Sequence, residues 1–187
     1  MSTTSKALKV IGGAALVAGA FTAFSRLRYR RSAAATLAEY TVLPTKALKS
    51  RMPVTDWIAR AAGRPEPRRA LSFPFWSRSH YDVERREDDG MPVYYVRPYA
   101  PSDTVVVYLH GGGYVTTASL GQSLLIDNLT RRTGADFIVP LYPLAPHHTW
   151  QEAHQLVLNL YLHILSENSN KRIILMGDSS GGGLAAV

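Results

Sequence analysis

Ser179 stands in Gly177-Asp178-Ser179-Ser180-Gly181, directly after the apolar run RIILM and before the glycine-rich stretch GGGLAA. A serine hydroxyl is a poor nucleophile, so an enzyme that uses one must expose it, take its proton during attack and stabilise the oxyanion that forms. Glycine two residues before and two after the serine fits a sharp strand–turn–helix elbow, in which the backbones approach too closely for side chains. Such an elbow lifts the hydroxyl above the sheet and turns the backbone NH of Ser180 toward the developing charge. A second constellation, His110-Gly111-Gly112-Gly113-Tyr114, follows the apolar run TVVVYL. Residues without side chains there let backbone NH groups face a site and donate to an oxyanion. By itself the glycine run reads equally well as a plain turn after a buried strand; the elbow downstream favours the oxyanion reading. Neither glycine cluster precedes the Lys-Ser/Thr pair of a phosphate-binding loop, and no dinucleotide fingerprint occurs.

Elements able to position these residues are legible in the hydrophobic pattern. Strand candidates lie at Tyr81–Arg85, Pro92–Arg97, Thr104–Leu109, Asp136–Leu141 and Arg172–Met176, and Asp89-Gly90 forms a hairpin turn between the first two. The last three are near-continuous apolar runs, as expected where helices cover both faces of a parallel sheet. Helix candidates at Gln122–Arg132 and Gln151–Leu165 alternate with them; the second has apolar residues at Ala153, Leu156, Val157, Leu160, Tyr161 and Leu165. This order indicates an α/β fold with a doubly wound, mainly parallel sheet.

The 187 residues are 46% apolar and 19% charged, enough for a globular domain with a sizeable core. With no cysteine, disulfides, thiolate metal sites and cysteine nucleophiles are excluded. The net charge of +7 is unevenly spread: residues 1–69 hold 13 Lys and Arg against 3 acids, and residues 70–187 hold 8 against 11. The part with the candidate chemistry is therefore mildly acidic, and no nucleic-acid recognition motif accompanies the basic part. Val10–Phe24 is uncharged and largely apolar, flanked by Lys6 and Lys9 and by Arg26, Arg28, Arg30 and Arg31. Fifteen residues fall short of the ~20 that span a bilayer. Residues 1–31 are read as a membrane-anchor or signal-like segment, with anchoring through residues 7–31 favoured over cleavage because arginines follow Ala18-Gly19-Ala20. Residues 32–79 read as a helical linker or cap region, broken at Pro44, Pro53, Pro65 and Pro67, with Thr55 or Asp56 capping 57–60.

The strings YLHGGGYV, LYPLAPHHTW and ILMGDSSGGGLA, in that order, resemble the hormone-sensitive-lipase-like branch of the α/β-hydrolases, the α/β-hydrolase fold-3 family. The resemblance covers about residues 80–187 and implies a sheet of the α/β-hydrolase type. It further implies that Ser179 is the nucleophile and that Gly112, Gly113 and Ser180 supply oxyanion-hole NH groups. His110 and Gly111 would support the glycine loop, Gly177, Asp178 and Gly181 would form the elbow, and Tyr142-Pro143-Leu144-Ala145-Pro146 would be a structural segment. Pro143 and His147 depart from the arginine and glutamate usual there. Of the other histidines, His147 and His148 read as solvated, His154 and His163 as surface residues too far apart for one metal site, and His80 precedes a strand with no partner identifiable in the sequence.

In this fold the acid and the histidine follow the serine. The residues after Ser179, SGGGLAAV, contain neither, so the domain is expected to be C-terminally incomplete, with an uncovered edge strand and negligible activity. The expected reaction class is hydrolysis of carboxylic esters through an acyl-enzyme on Ser179, without metal or organic cofactor, on a small acyl ester and not on nucleic acid. Amide hydrolysis shares every motif, and the alternative from another class is a non-catalytic ligand-binding or membrane-associated protein. Location is expected to be membrane-associated through a single N-terminal anchor, or cytoplasmic, in preference to secreted.

Overall fold

The computed structural model describes residues 3–30, 32–33, 35–37, 55–56, 59–60, 63 and 71–187. The chain divides into two units, Met1–Trp57 and Ile58–Val187. The first contains helix α1, Thr3–Tyr29, which extends the apolar run of the sequence into its basic flanks and ends near Arg26 and Arg28. Thr22 and Ser25 turn their hydroxyls back onto the carbonyls of Ala18 and Phe21. No described helix is long and apolar enough to cross a membrane, so α1 lends no support to the anchor expected over residues 7–31. Of the linker expected over residues 32–79, Pro44, Pro53, Pro65 and Pro67 lie outside the described residues; the described parts are 32–33, 35–37, 55–56, 59–60, 63 and 71–79, the last with a helical turn at Phe75–Ser79.

The second unit is built on a five-stranded sheet. Its strands are β1 (Tyr81–Asp88), β2 (Met91–Pro98), β3 (Thr104–Leu109), β4 (Asp136–Pro140) and β5 (Arg172–Gly177), in the spatial order β1-β2-β4-β3-β5. The sheet is mixed. β1 and β2 form an antiparallel hairpin, β2 runs antiparallel to β4, and β3 lies parallel to both β4 and β5. Asp89 (φ 48°) and Gly90 (φ 76°) make the two-residue turn, whose positive dihedrals match the twist of the flanking strands.

Helices cover both faces, as the continuous apolar strands require. On one face, Val105, Val107 and Leu109 of β3 meet Ala153, Val157, Leu160 and Ile164 of α3 (Trp150–Glu167). On the other, Val106 and Tyr108 meet Ile126 of α2 (Leu120–Thr133). Alternate residues of one strand therefore feed two cores, each fully buried large apolar side chain contributing ~1.5–3 kcal/mol. Both helices begin on a capping box, Ser119 with Gln122 and Thr149 with Glu152. The stretch before β1 is tied to α2 by a buried carboxylate: Asp127 accepts from Ser77 Oγ at 2.7 Å, Tyr81 Oη at 2.9 Å and Arg131 at 2.8 Å. At the opposite end of the sheet β5 is an edge strand, with Ile174 41% and Leu175 36% exposed.

Candidate active site

Both candidate loops leave the carboxyl ends of neighbouring parallel strands, β3 and β5, where open α/β sheets bind ligands. β5 ends at Gly177 and α4 (Ser180–Ala185) begins three residues later, so Ser179 occupies the turn itself. Its backbone lies at φ 50°, ψ −121°. A non-glycine residue held there stores ~1–3 kcal/mol of strain, which surrounding contacts must sustain. The side-chain-free positions of the elbow supply that constraint. A Cβ on Gly177 would enter the backbone of Gly181, and a Cβ on Gly181 would enter the carbonyl of Leu109 at the end of β3. The start of α4 is thereby seated directly on β3, and Ser179 is exposed above the strands.

The glycine loop is fixed from below. His110 is fully buried and its ring stacks on Tyr142, with centroids 4.4 Å apart and planes 7° from parallel. Tyr142 donates to the His110 carbonyl, and Tyr114 accepts from the Ala145 NH at 2.8 Å, so the segment 142–146 braces the loop at two points. Burial lowers the His110 pKa and keeps the ring neutral, with Nδ1 donating to the Gly111 carbonyl at 3.0 Å.

Asp178 joins the two loops. Its Oδ1 accepts from Tyr108 Oη at 2.6 Å, from the Gly111 NH at 2.9 Å and from Gln122 Nε2 at 3.0 Å; Gln122 Nε2 also reaches Oδ2 at 3.1 Å. Burial alone would raise this carboxyl, but the bonds from Tyr108, Gln122 and Gly111 outweigh it and hold Asp178 below the usual carboxylate range. The Gly111 NH is thus committed to Asp178, and a Cβ on Gly111 would enter that same carboxylate.

The orientation of the remaining NH groups follows from peptide planarity. In a trans peptide the C=O of one residue and the NH of the next point in opposite directions. The Gly111 carbonyl accepts from His110 Nδ1 and from Gln122 Nε2 at 3.3 Å, which aims the Gly112 NH the other way. The Gly112 carbonyl accepts from the NH groups of Val115 and Thr116 and from Thr116 Oγ1, which aims the Gly113 NH. The Ser179 carbonyl accepts from the Gly183 NH at 3.1 Å, which aims the Ser180 NH. Gly112 is at φ 143°, a conformation that only glycine adopts readily. Among the described residues no group accepts from the NH of Gly112, Gly113 or Ser180. The arrangement thus presents an exposed hydroxyl beside two loops whose backbone donors are held by bonds on their far sides.

Residues 106–187 match the family model of the alpha/beta hydrolase fold. An esterase of Gibberella moniliformis is 37% identical over 86 residues, 43% of this chain and 27% of the esterase. An esterase of Acinetobacter venetianus is 31% identical over 91 residues, covering 48% of this chain and 30% of its own. A solved esterase from the bacterial hormone-sensitive lipase family superposes with a TM-score of 0.53 at 25% identity, over 68% of this chain and 46% of that one. Residues 106–187 thus carry an α/β-hydrolase fold, and this stretch is similar to the hormone-sensitive-lipase-like esterases. The chain spans 27–30% of the length of these two curated esterases.

The other histidines hold partners of their own or lie at the surface. His80 Nδ1 meets Ser79 Oγ at 2.9 Å, His148 meets Glu152 at 3.1 Å and His163 meets Glu167 at 3.1 Å; His80, His147 and His163 are exposed, and His148 and His154 are half-buried. In place of the arginine usual at position 143, Pro143 is buried, and the segment is held by Tyr142 and Ala145 instead of an ion pair. No cluster of three potential metal ligands occurs among the described residues. Sequence reasoning passed over Tyr108 and Gln122. Tyr108 sits in an apolar run and reads as core, and Gln122 reads as an ordinary early helical residue. The pattern Ser119-x-x-Gln122 was the available signal, since a capping box places both side chains beside the preceding loop.

Proposed function

We propose that this domain is the nucleophile-bearing part of a serine carboxylester hydrolase. Ser179 Oγ attacks the ester carbonyl carbon, the carbonyl oxygen takes the negative charge, and the NH groups of Gly112, Gly113 and Ser180 stabilise it. The C–O bond to the alcohol then breaks, the alcohol leaves with the proton from Ser179, and an acyl-enzyme remains until water releases the acid. The observation carrying this reading is the strained, exposed Ser179 beside donors aimed by their own peptide planes. The relatives named esterases support the choice of ester over amide.

On this reading the base that takes the Ser179 proton is none of these histidines: His110 is buried and stacked on Tyr142, His80, His148 and His163 engage Ser79, Glu152 and Glu167, His147 is exposed, and His154 is half-buried on α3. The same observation favours a second reading, a ligand-binding protein that keeps the pocket without turnover. Incubation of the 187-residue chain with p-nitrophenyl butyrate and exogenous imidazole, followed by acid quench and peptide mapping, separates the two. A butyryl group on Ser179, absent from Ser179→Ala, is the expected result. Reversible binding of a phenylboronic acid with no acyl transfer under any condition would favour the second reading.

A further inference from the structure

Gln122 lies outside the glycine loop and the elbow, yet its amide touches four groups at once. Its Oε1 accepts from the Ser119 NH at 2.6 Å and from Ser119 Oγ at 2.9 Å, completing the cap of α2. Its Nε2 donates to both oxygens of Asp178 and to the Gly111 carbonyl. A glutamine amide has one acceptor end and one donor end. Here the acceptor end is spent on the helix and the donor end on the two catalytic loops, so the side chain cannot flip without losing both sets of bonds. Gly111 is consequently held through both of its flanking peptide groups, its NH by Asp178 and its carbonyl by Gln122 and His110. Because the Gly112 NH belongs to the same peptide plane as the Gly111 carbonyl, it can swing only as far as the bonds on that carbonyl allow.

We propose that Gln122 is a positioning residue for the oxyanion-binding NH of Gly112, transmitting the fixed amino end of α2 to the glycine loop and, through Asp178, to the nucleophile elbow. This role rests on the ester-hydrolase reading above. Oxyanion donors act through preorganisation, and a displacement of about 1 Å can cost on the order of 100-fold in rate. The helix is rigid and 14 residues long, whereas the loop contains three consecutive glycines, so the stiffer element sets the position of the softer one.

Two substitutions distinguish positioning from capping. Gln122→Glu keeps the acceptor that serves Ser119, since glutamate and glutamine are interchangeable in a capping box, but sets a carboxylate against the Asp178 carboxylate. Gln122→Met removes both functions at similar volume. If Gln122 only caps α2, Gln122→Glu resembles the wild type and Gln122→Met is the weaker. If it positions the loop, Gln122→Glu falls well below the wild type although the cap is kept. Two readouts are taken on the 187-residue chain: the amide signals of Gly111 and Gly112 in a 15N–1H correlation spectrum, and the rate of butyryl transfer to Ser179 in the imidazole-supplemented assay.

The expected result is a displaced Gly111 and Gly112 signal and an acylation rate about 10- to 100-fold below wild type in both Gln122→Glu and Gln122→Met. Wild-type signals and rate in Gln122→Glu would overturn the proposal and leave the ester-hydrolase reading standing. Absence of acyl transfer in the wild type, with the glycine signals still moved by Gln122→Glu, would overturn the hydrolase reading and leave the clamp standing.

Discussion

Replacing Asp178 with asparagine removes one charge and reverses one donor–acceptor relation while keeping the shape of the side chain. The retained amide oxygen can still accept from Tyr108 and the Gly111 NH, at 2.6 and 2.9 Å in the wild type. Each of these bonds loses its charge assistance, about 1 kcal/mol apiece, from the difference between charged and neutral hydrogen bonds. The new NH2 then faces the Nε2 of Gln122, which cannot turn round because its oxygen is held by Ser119. A donor left without an acceptor costs ~1–3 kcal/mol, toward the low end here because Asp178 is only half-buried and water can reach it. The expected destabilisation is about 2–3 kcal/mol at neutral pH. For a domain of this size, that corresponds to a fall in Tm of ~4–12 °C. The pH dependence has a defined sign. Asp178 is held below its usual pKa, so its contribution is complete above the ordinary carboxylate value of about 3.9 and is lost as pH falls through the lowered value. Urea denaturation should give the same gap between wild type and Asp178→Asn at pH 7 and pH 5, narrowing below about pH 4. A gap under 0.5 kcal/mol at pH 7, or one that widens toward acid, would refute the view of Asp178 as the ionised link between the loops.

Gly181→Ala places a methyl group into the Leu109 carbonyl and within 2.6 Å of the His110 carbonyl, so α4 must lift from β3. The overpacking is expected to cost at least ~1–3 kcal/mol, and butyryl transfer to Ser179 should fall on the order of 100-fold, as read by peptide mapping. Tyr142→Phe leaves the buried His110 carbonyl without its phenol donor at an expected ~1–3 kcal/mol. Tyr142→Leu should lose a further ~0.5–1.5 kcal/mol because the stacked ring goes too; equal urea midpoints for the two variants would argue against the stack. Arg131→Met leaves Asp127, whose side chain is 3% exposed, with only Ser77 and Tyr81 as partners. The expected loss is about 3 kcal/mol, with earlier proteolysis around Phe75–Ser79.

Much of this architecture is visible in the residues alone, and the reason differs by element. TVVVYL could be read as a buried strand because its apolar residues are continuous, and β3 indeed sends Val105, Val107 and Leu109 to one core and Val106 and Tyr108 to the other. The Asp89-Gly90 turn declares itself through residues that tolerate positive φ. Glycines 177 and 181 could be assigned to an elbow because close backbone approach leaves a compositional trace. The antiparallel pairing of β2 with β4 leaves no such trace, since register between distant strands is set by tertiary packing. The tie between Asp178 and Tyr108, Gln122 and Gly111 is equally hidden. Each partner has a sufficient local explanation, as core, helix cap or turn, and only the folded chain brings them together.

The central claim is that Ser179 is a nucleophile whose oxyanion is met by backbone donors, and a fluorophosphonate reports on both by forming a stable tetrahedral adduct. After reaction of the 187-residue chain with a fluorophosphonate in the presence of imidazole, intact-mass and peptide analysis should show one phosphonyl group, on Ser179, with none at that position in Ser179→Ala. An unlabelled Ser179 in a folded wild-type chain, or labelling spread over other hydroxyls at the same rate, would contradict it.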